Sequence, residues 1–276
     1  MPLFARPDGE LIRDVAPVRA IMPYLMPGRT ESFVLHEMTV DLTRTLPFLE
    51  AWNARRPEGA PKATLFHLVL HCLAQTLHER PGLNRFVRGG RFYQRRGVFL
   101  SFAAKKRFDE GAPLVTVKAE FPSGVAFAES VARVSAGVGE GRTGPARPVD
   151  KETHLLTRLP GFVLRAIVAV GRLLDRWNLM PRQMIETDPL YCSVFVANLG
   201  SVGIDRTWHH LFEWGTAHLF CVLGSTKKHL FIEGEAPVVR DAVQLFWTFD
   251  ERANDGFYCM TALKRFQALL ENPEGF

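Results

Sequence analysis

The chain has 276 residues, of which 47% are apolar and 23% are charged, and its formal net charge is +5. This composition supplies a large core and excludes a disordered or collagen-like chain. The mild basic excess suits an anionic ligand such as a nucleotide cofactor, but it is smaller than the dense basic stripe expected of a nucleic-acid-binding protein.

The N-terminal residues contain no apolar stretch of signal-peptide length, so we expect no export by that route. Four cysteines lie widely spaced in apolar segments, at Cys72, Cys192, Cys221 and Cys259. We predict that they are reduced and buried in a cytoplasmic protein. No segment reaches the roughly 18 uncharged apolar residues that a membrane span requires.

The first half of the chain predicts an N-terminal arm over residues 1–16, followed by helices and then strands. The expected bounds are 43–53 and 64–80 for the helices, and 98–104 and 114–121 for the strands. Pro81-Gly82 ends the second helix.

The second half predicts a linker, an amphipathic helix, further strands and a last helix. The expected bounds are 137–153 for the linker, 154–180 for the amphipathic helix, 191–197, 218–223 and 238–249 for the strands, and 256–270 for the last helix. This order favours one α+β domain over residues 17–276.

The amphipathic helix places Arg165, Arg172 and Arg176 on one face and apolar side chains on the other. Such a helix can lie on a membrane surface, or it can dock on a neighbouring subunit or on the chain's own core. We expect docking.

Two other patterns match known motifs by their letters only. Residues 139–144 read Gly-x-Gly-x-x-Gly, but prolines follow at once where a dinucleotide fingerprint needs a helix, so we expect a flexible linker. His67, His71 and His78 share a helix face without a set of acidic or cysteine partners. We therefore predict packed or hydrogen-bonded histidines and no metal.

Three motifs, in this order and spacing, carry a family resemblance. They are the apolar helix of residues 64–77 with Pro81-Gly82-Leu83-Asn84, then Ala197-Asn198-Leu199-Gly200, then Asp250-Glu251-Arg252-Ala253-Asn254-Asp255-Gly256. Over residues 17–274 the chain resembles the chloramphenicol acetyltransferase-like superfamily. Within it, the chain is most similar to the catalytic core of dihydrolipoyl acyltransferases of 2-oxo acid dehydrogenase complexes. There the second motif reads Ser-Asn-Leu-Gly and the third reads Asp-His-Arg-x-x-Asp-Gly.

This resemblance implies a two-layer α+β sandwich with a mixed sheet, and a homotrimer with active sites between subunits. Coenzyme A and the acyl acceptor would enter a channel from opposite sides. In that family, a histidine of the third motif takes the proton of a thiol or hydroxyl, and a serine of the second motif donates a hydrogen bond to the oxyanion. Because the sequence starts almost at the core, we expect no lipoyl domain, unlike an ordinary dehydrogenase-complex subunit.

The two residues that this chemistry needs most are replaced, by Glu251 at the histidine position and by Ala197 at the serine position. A glutamate at its ordinary pKa of about 4.3 is mismatched to a thiol of about 8.5, which disfavours proton transfer by roughly 5–6 kcal/mol. Loss of one oxyanion donor costs about 2.7–4 kcal/mol. Backbone amides, Ser193 or Ser201 are the candidate substitutes for the serine.

The candidate site residues come from the motifs and from two neighbouring segments. The candidate catalytic residues are Glu251, Asp255, Asn198, His209 and His210, and the candidate cofactor-binding residues are Lys105, Lys106 and Ser201. The two histidines lie in an aromatic loop, where one of them would supply the missing base or both would pack at an interface. The two lysines belong to a basic region that suits phosphate groups or forms a solvated surface.

The charged residues of the third motif that agree with the family pattern also have structural interpretations. Asp255 can cap the last helix, and Asp250 and Arg252 can pair across a subunit interface. Two functions therefore stay open. One is an acyltransferase that uses coenzyme A thioesters and a small-molecule acceptor. The other is an inactive trimeric scaffold, which would build a larger cage or bind a ligand, with no nucleic-acid partner in either case.

Overall fold

The computed structural model describes residues 5–105, 114–143 and 157–276. The described helices are α1 (Pro17–Leu25), α2 (Arg29–Ser32), α3 (Thr45–Arg55), α4 (Leu65–Glu79), α5 (Phe127–Thr143), α6 (Gly161–Arg176), α7 (Arg182–Thr187) and α8 (Gly256–Glu271). The described strands are β1 (Gly9–Leu11), β2 (Phe33–Asp41), β3 (Arg85–Arg88), β4 (Arg91–Arg95), β5 (Phe99–Lys105), β6 (Leu114–Glu120), β7 (Val194–Asn198), β8 (Leu219–Glu233) and β9 (Ala236–Asp250). None of these helices is both long enough and apolar enough to cross a membrane.

The larger sheet has six strands in the order β2-β9-β8-β7-β5-β6. Strand β7 runs parallel to both β5 and β8, and the other pairs are antiparallel. The predicted mixed sheet of an α+β fold is therefore confirmed. Since β9 runs opposite to β7, the third motif emerges at the edge of the sheet opposite to that of the second motif.

The two faces of this sheet pack differently. One face carries the main core, in which Trp247 of β9 meets Phe266 of α8 together with apolar residues of α4 and α5. On the other face, Phe220 and Phe246 are covered by the irregular segment that contains Leu211. Both faces of β8 are buried along Leu219–Gly224, which explains why this strand reads as a continuous apolar run.

The four cysteines are free and buried, as predicted. Burial raises the pKa of the thiols of Cys72, Cys192, Cys221 and Cys259. Their thiols therefore stay protonated and serve as small apolar groups in the core.

The N-terminal segment forms a strand and buried ion pairs. Strand β1 pairs with β4 in a separate three-stranded sheet of order β1-β4-β3. Arg6 is buried and forms ion pairs with Asp8 and Asp175, each at 2.7 Å. The residues of the predicted N-terminal arm over 1–16 that form these contacts are therefore packed on the rest of the chain. An ion pair with a residue about 170 positions away leaves no local pattern in the sequence.

The predicted linker over 137–153 is wrong for residues 137–143, which continue α5. A Cβ atom on Gly137 would lie 2.7 Å from a methyl carbon of Val117, and one on Gly141 would lie 2.5 Å from a methyl carbon of Val115. These glycines therefore let the helix approach β6 closely, and they do not mark a flexible chain. Residues 144–153 lie outside the described ranges.

The predicted amphipathic helix is observed as α6, which is shorter than the expected 154–180. Its C-terminal end is anchored because the buried Asp175 pairs with Arg6 and, at 2.5 Å, with Arg88. Several of its apolar side chains, among them Phe162 and Leu173, remain exposed. The expected docking on the chain's own core is thus limited to one end of the helix.

Candidate functional site

The third motif spans the end of β9 and the start of α8. The backbone N–H of Tyr258 donates to Oδ1 of Asp255 at 2.8 Å, so Asp255 caps the helix as predicted. This hydrogen bond and the charge of Arg19 lower the pKa of Asp255. Its carboxylate is therefore ionised and engaged, which suits positioning better than proton transfer.

Arg19 of α1 holds the motif from the other side. Its Nη1 donates to the carbonyl oxygen of Glu251 at 2.6 Å, and its Nη2 lies 3.6 Å from Oδ2 of Asp255. The contact joins positions 232 residues apart, so sequence reasoning missed Arg19. Together with the bond from the Glu251 N–H to the carbonyl of Ser32, it fixes the backbone of Glu251 on both sides.

Asp250 and Arg252 form a bidentate pair within one chain, with Nε–Oδ1 and Nη2–Oδ2 distances of 2.8 and 2.7 Å. The expected pairing across a subunit interface is therefore wrong. Nη1 of Arg252 also donates to the carbonyl oxygens of Met26 and Pro27, both at 2.9 Å, and Ser32 donates to Asp250. This buried pair ties the segment between α1 and β2 to the end of β9.

Glu251 lies between these anchors and is half-buried. Within the described chain, its carboxylate forms no hydrogen bond or ion pair, although its backbone is held on both sides. Asp14, Arg19, Arg85 and Asp255 line a cleft of about 350 Å³ beside the motif, together with several apolar residues. Glu251 itself does not line this cleft, but its fixed backbone and unengaged carboxylate leave it available as a proton acceptor.

The second motif forms a turn at the carboxyl end of β7. The Ser201 N–H donates to Oδ1 of Asn198 at 3.3 Å, and the Ser201 hydroxyl donates to the carbonyl of Asn198 at 2.7 Å. Because Oδ1 of Asn198 accepts an N–H, its Nδ2 is the free donor, and it has no partner among the described residues. Ser201 therefore orients Asn198.

Neither proposed serine replaces the missing hydroxyl at Ala197. Ser193 is fully buried and accepts a hydrogen bond from the N–H of Phe99 at 3.0 Å. The hydroxyl of Ser201 is committed to the Asn198 carbonyl. Within the described chain, Nδ2 of Asn198 is a side-chain donor without a partner next to Ala197.

Gly200 allows this turn to pack on β8, since a Cβ atom there would overlap the carbonyl of Gly224. We expect Gly200→Ala to destabilise the protein by about 1–3 kcal/mol, because backbone atoms cannot move aside as a flexible side chain would. Chemical denaturation measures this loss. Gly139→Ala is the control: it has open space and a helical position, so it should be neutral or stabilising. Equal effects of the two substitutions would contradict the prediction.

His209 and His210 lie on the face of the sheet that carries Phe220 and Phe246. The His209 ring stacks on Phe220 with centroids 4.1 Å apart and also on His210 at 4.6 Å. Burial lowers the pKa of His209. The carbonyl of His209 accepts a hydrogen bond from Thr248, three positions before Glu251, and no hydrogen bond or ion pair joins either histidine to Glu251 within the described chain.

The two halves of the candidate site are far apart within one chain. Asn198 pairs in register with Leu223, which in turn pairs with Leu245 of β9. Glu251 lies six positions beyond Leu245, which is about 20 Å along a strand. The described chain therefore brings Asn198 and Ser201 together at one edge of the sheet, and Glu251 and Asp255 together at the other.

Lys105 ends β5, whose parallel register with β7 places it at the same edge as Asn198. Lys106 lies outside the described residues.

The three histidines of α4 are each hydrogen-bonded: His67 to Ser135, His71 to Ser130 and His78 to the carbonyl of Phe121. Among the residues that the structure describes, no group of three or more His, Cys, Asp or Glu residues is placed to hold a metal ion.

Several solved structures share this architecture. A probable dihydrolipoamide acetyltransferase from Listeria monocytogenes matches with a TM-score of 0.64 and 18% identity, over 95% of this chain and 94% of that chain. The cubic core of a pyruvate dehydrogenase multienzyme complex matches with a TM-score of 0.63 and 15% identity, over 96% and 93% of the two chains. A chloramphenicol acetyltransferase matches with a TM-score of 0.58 and 11% identity, over 95% and 99%.

The chain has the chloramphenicol acetyltransferase-like fold. Neither a family model nor a curated protein matches the sequence. The likeness therefore lies in the arrangement of strands and helices, and the chemistry has to be argued from the chain's own side chains.

Proposed function

We propose that the protein is an acyltransferase that moves an acyl group from a coenzyme A thioester to a thiol or hydroxyl of a small molecule, in the cytoplasm. The observation that carries this proposal is Glu251, whose backbone is held by Arg19 and Ser32 while its carboxylate is unengaged among the described residues. The acyltransferase fold adds support.

We propose a homotrimer whose site forms between copies, since Glu251 and Asn198 lie about 20 Å apart in one chain. Apolar side chains near Glu251 face solvent: Phe257 is 85% exposed and Val18 of α1 is 74% exposed. Such exposure beside a half-site suits burial against another copy. The similarity to the cubic core of a multienzyme complex supports self-assembly, which would extend to a larger cage.

In the proposed reaction, Glu251 takes the proton of the acceptor as its sulfur or oxygen attacks the thioester carbonyl. The tetrahedral oxyanion accepts a hydrogen bond from Nδ2 of Asn198 of the partner subunit. Collapse of this intermediate breaks the C–S bond, and the proton passes from Glu251 to the leaving thiolate of coenzyme A. Asp255 holds the motif, Ser201 orients Asn198, and Lys105 and Lys106 would meet the phosphates of coenzyme A.

Glu251→Gln should lower the rate of acyl transfer by about 10²–10⁴, because the amide cannot accept the proton. Release of the free coenzyme A thiol from acetyl-coenzyme A, with an added alcohol as the acceptor, measures this rate, and a thermal melt verifies the fold. Glu50→Gln, an exposed position on α3, is the matched control and should leave the rate unchanged. Equal rates for wild type and Glu251→Gln would contradict the proposal.

A second candidate is a non-catalytic trimeric scaffold that binds a ligand or builds a cage. It is favoured by Ala197, because Ser193 is fully buried and the hydroxyl of Ser201 donates to the carbonyl of Asn198. Under this alternative, wild type shows no turnover above background but remains oligomeric by light scattering. Turnover gained by Glu251→His together with Ala197→Ser would then show that the fold lost its chemistry at these two positions.

A further inference from the structure

A second groove lies between α1, the β3–β4 turn and α6, with a volume of about 460 Å³. This volume is within the range of small-molecule sites. It shares no lining residue with the cleft beside Asp255. Arg252 lines the groove, whereas the next three residues of the third motif line the cleft.

The groove is lined by five arginines and a single carboxylate. The arginines are Arg29, Arg88, Arg172, Arg176 and Arg252, and the carboxylate is Glu213. Arg88 is paired with Asp175, and Arg252 is paired with Asp250. Glu213 accepts two hydrogen bonds from Thr30, both at 2.9 Å. Within the described chain, the guanidinium groups of Arg29, Arg172 and Arg176 have no ion pair, so the wall carries a positive excess.

Arg29 is the buried member of this set of unpaired arginines, with only 2% of its surface exposed. Its Nη1 and Nη2 donate to the backbone carbonyls of Phe212 and Gly215, at 2.7 and 2.8 Å, which are uncharged partners. Its Nε is buried without a partner among the described residues. The nearby carboxylate of Asp250 is already bound on both oxygens by Arg252.

A buried guanidinium without an ion-pair partner is costly. Burial lowers the pKa of Arg29 to about 10, although the charges of Asp250 and Glu213 act in the opposite direction. An anion in the groove would supply an ion-pair partner for Arg29 and could also reach Arg172 and Arg176 on α6. Guanidinium forks match the oxygens of phosphate and carboxylate groups. The apolar part of the wall, which includes Tyr24, Val87 and Leu173, would contact the rest of such a ligand.

We propose that this groove binds a small molecule that bears a phosphoryl or carboxylate group, held by Arg29, Arg172 and Arg176. The proposal does not depend on acyl transfer, because binding is measured without an acyl donor. The expected ligand group is a compact oxyanion whose oxygens form an ion pair with Arg29.

The test is isothermal titration calorimetry of the full chain with sodium phosphate, and separately with sodium succinate, at constant ionic strength. We expect saturable binding of at least one of them. Stronger binding of phosphate would assign a phosphoryl ligand, and stronger binding of succinate a carboxylate ligand. Absence of binding with both would overturn the proposal.

Arg172→Glu should weaken this binding by about tenfold or more, since it removes a charged donor and adds a repulsive carboxylate. Arg165→Glu is the matched control, because Arg165 is exposed on the same helix face, two turns away, but does not line the groove. Its affinity should stay close to that of wild type. Equal loss in both variants would show a general charge effect and would overturn the assignment to this groove. Both side chains are exposed, so neither substitution threatens folding.

Discussion

Asp250→Ala is expected to lower the free energy of unfolding by about 3–5 kcal/mol, the cost of leaving a buried charge without its partner. The substitution removes the three hydrogen bonds that Asp250 accepts from Arg252, one from its backbone N–H and two from its guanidinium, and the bond from Ser32. Arg252 would then remain in the interior with only the carbonyls of Met26 and Pro27 as partners. Urea denaturation followed by circular dichroism measures the loss.

Glu79→Ala is the matched control for this prediction. Glu79 forms a bidentate pair with Arg265, at 2.6 and 2.9 Å, but both side chains are exposed at the surface. Exposed pairs contribute about 0–1 kcal/mol, so the control should change stability little. A loss for Asp250→Ala as small as that of the control would contradict the role assigned to the buried pair.

The same pair should make stability depend on pH. Burial alone would raise the pKa of Asp250, but the hydrogen bonds and charge of Arg252, with further contributions from Arg29 and Ser32, lower that pKa below its ordinary value. The pair therefore stabilises the fold fully above the unfolded-state pKa of about 3.9, and this stabilisation is lost as pH falls through the folded-state pKa. Asp250→Asn should flatten that part of the stability profile.

Mixing two inactive variants is expected to restore acyl transfer if the proposed site forms between copies. Glu251→Gln lacks the base and Asn198→Ala lacks the oxyanion donor, so each variant alone should fall to background. In randomly mixed trimers from co-expression at equal levels, about a quarter of the interfaces combine an intact Glu251 with an intact Asn198 from the neighbour. The activity should therefore recover to about a quarter of the wild-type value.

The mixing experiment separates a shared site from a site within one chain. If the site lay within one chain, no mixture of the two variants would regain activity, since every copy would lack one group. Light scattering at several concentrations supplies the second measurement. A stable monomer would contradict both the trimer and the shared site.

Local periodicity was sufficient to predict the helices observed as α4 and α8, and the mixed sheet was expected from the family resemblance. Strand β2 was missed, because its exposed apolar residues Phe33 and Leu35 blur the alternation between a buried and a solvent face. The glycines of residues 137–143 suggested a linker, although they are helical and allow close packing on β6. The glycine content indicated a flexible chain there. In the folded protein, the missing Cβ atoms instead let α5 pack against β6.

The sequence alone determined the identity of the reactive groups: Glu251 and Ala197 stand where the resembled family has histidine and serine. Only the tertiary structure decided how these groups are placed. It pairs Asp250 with Arg252 inside one chain, holds Glu251 through Arg19, and separates Glu251 from Asn198. The physical reason is that β9 runs antiparallel to β7 and β8, so motifs that follow their strands end at opposite edges of the sheet. Contacts between residues more than 200 positions apart leave no periodic trace in the sequence.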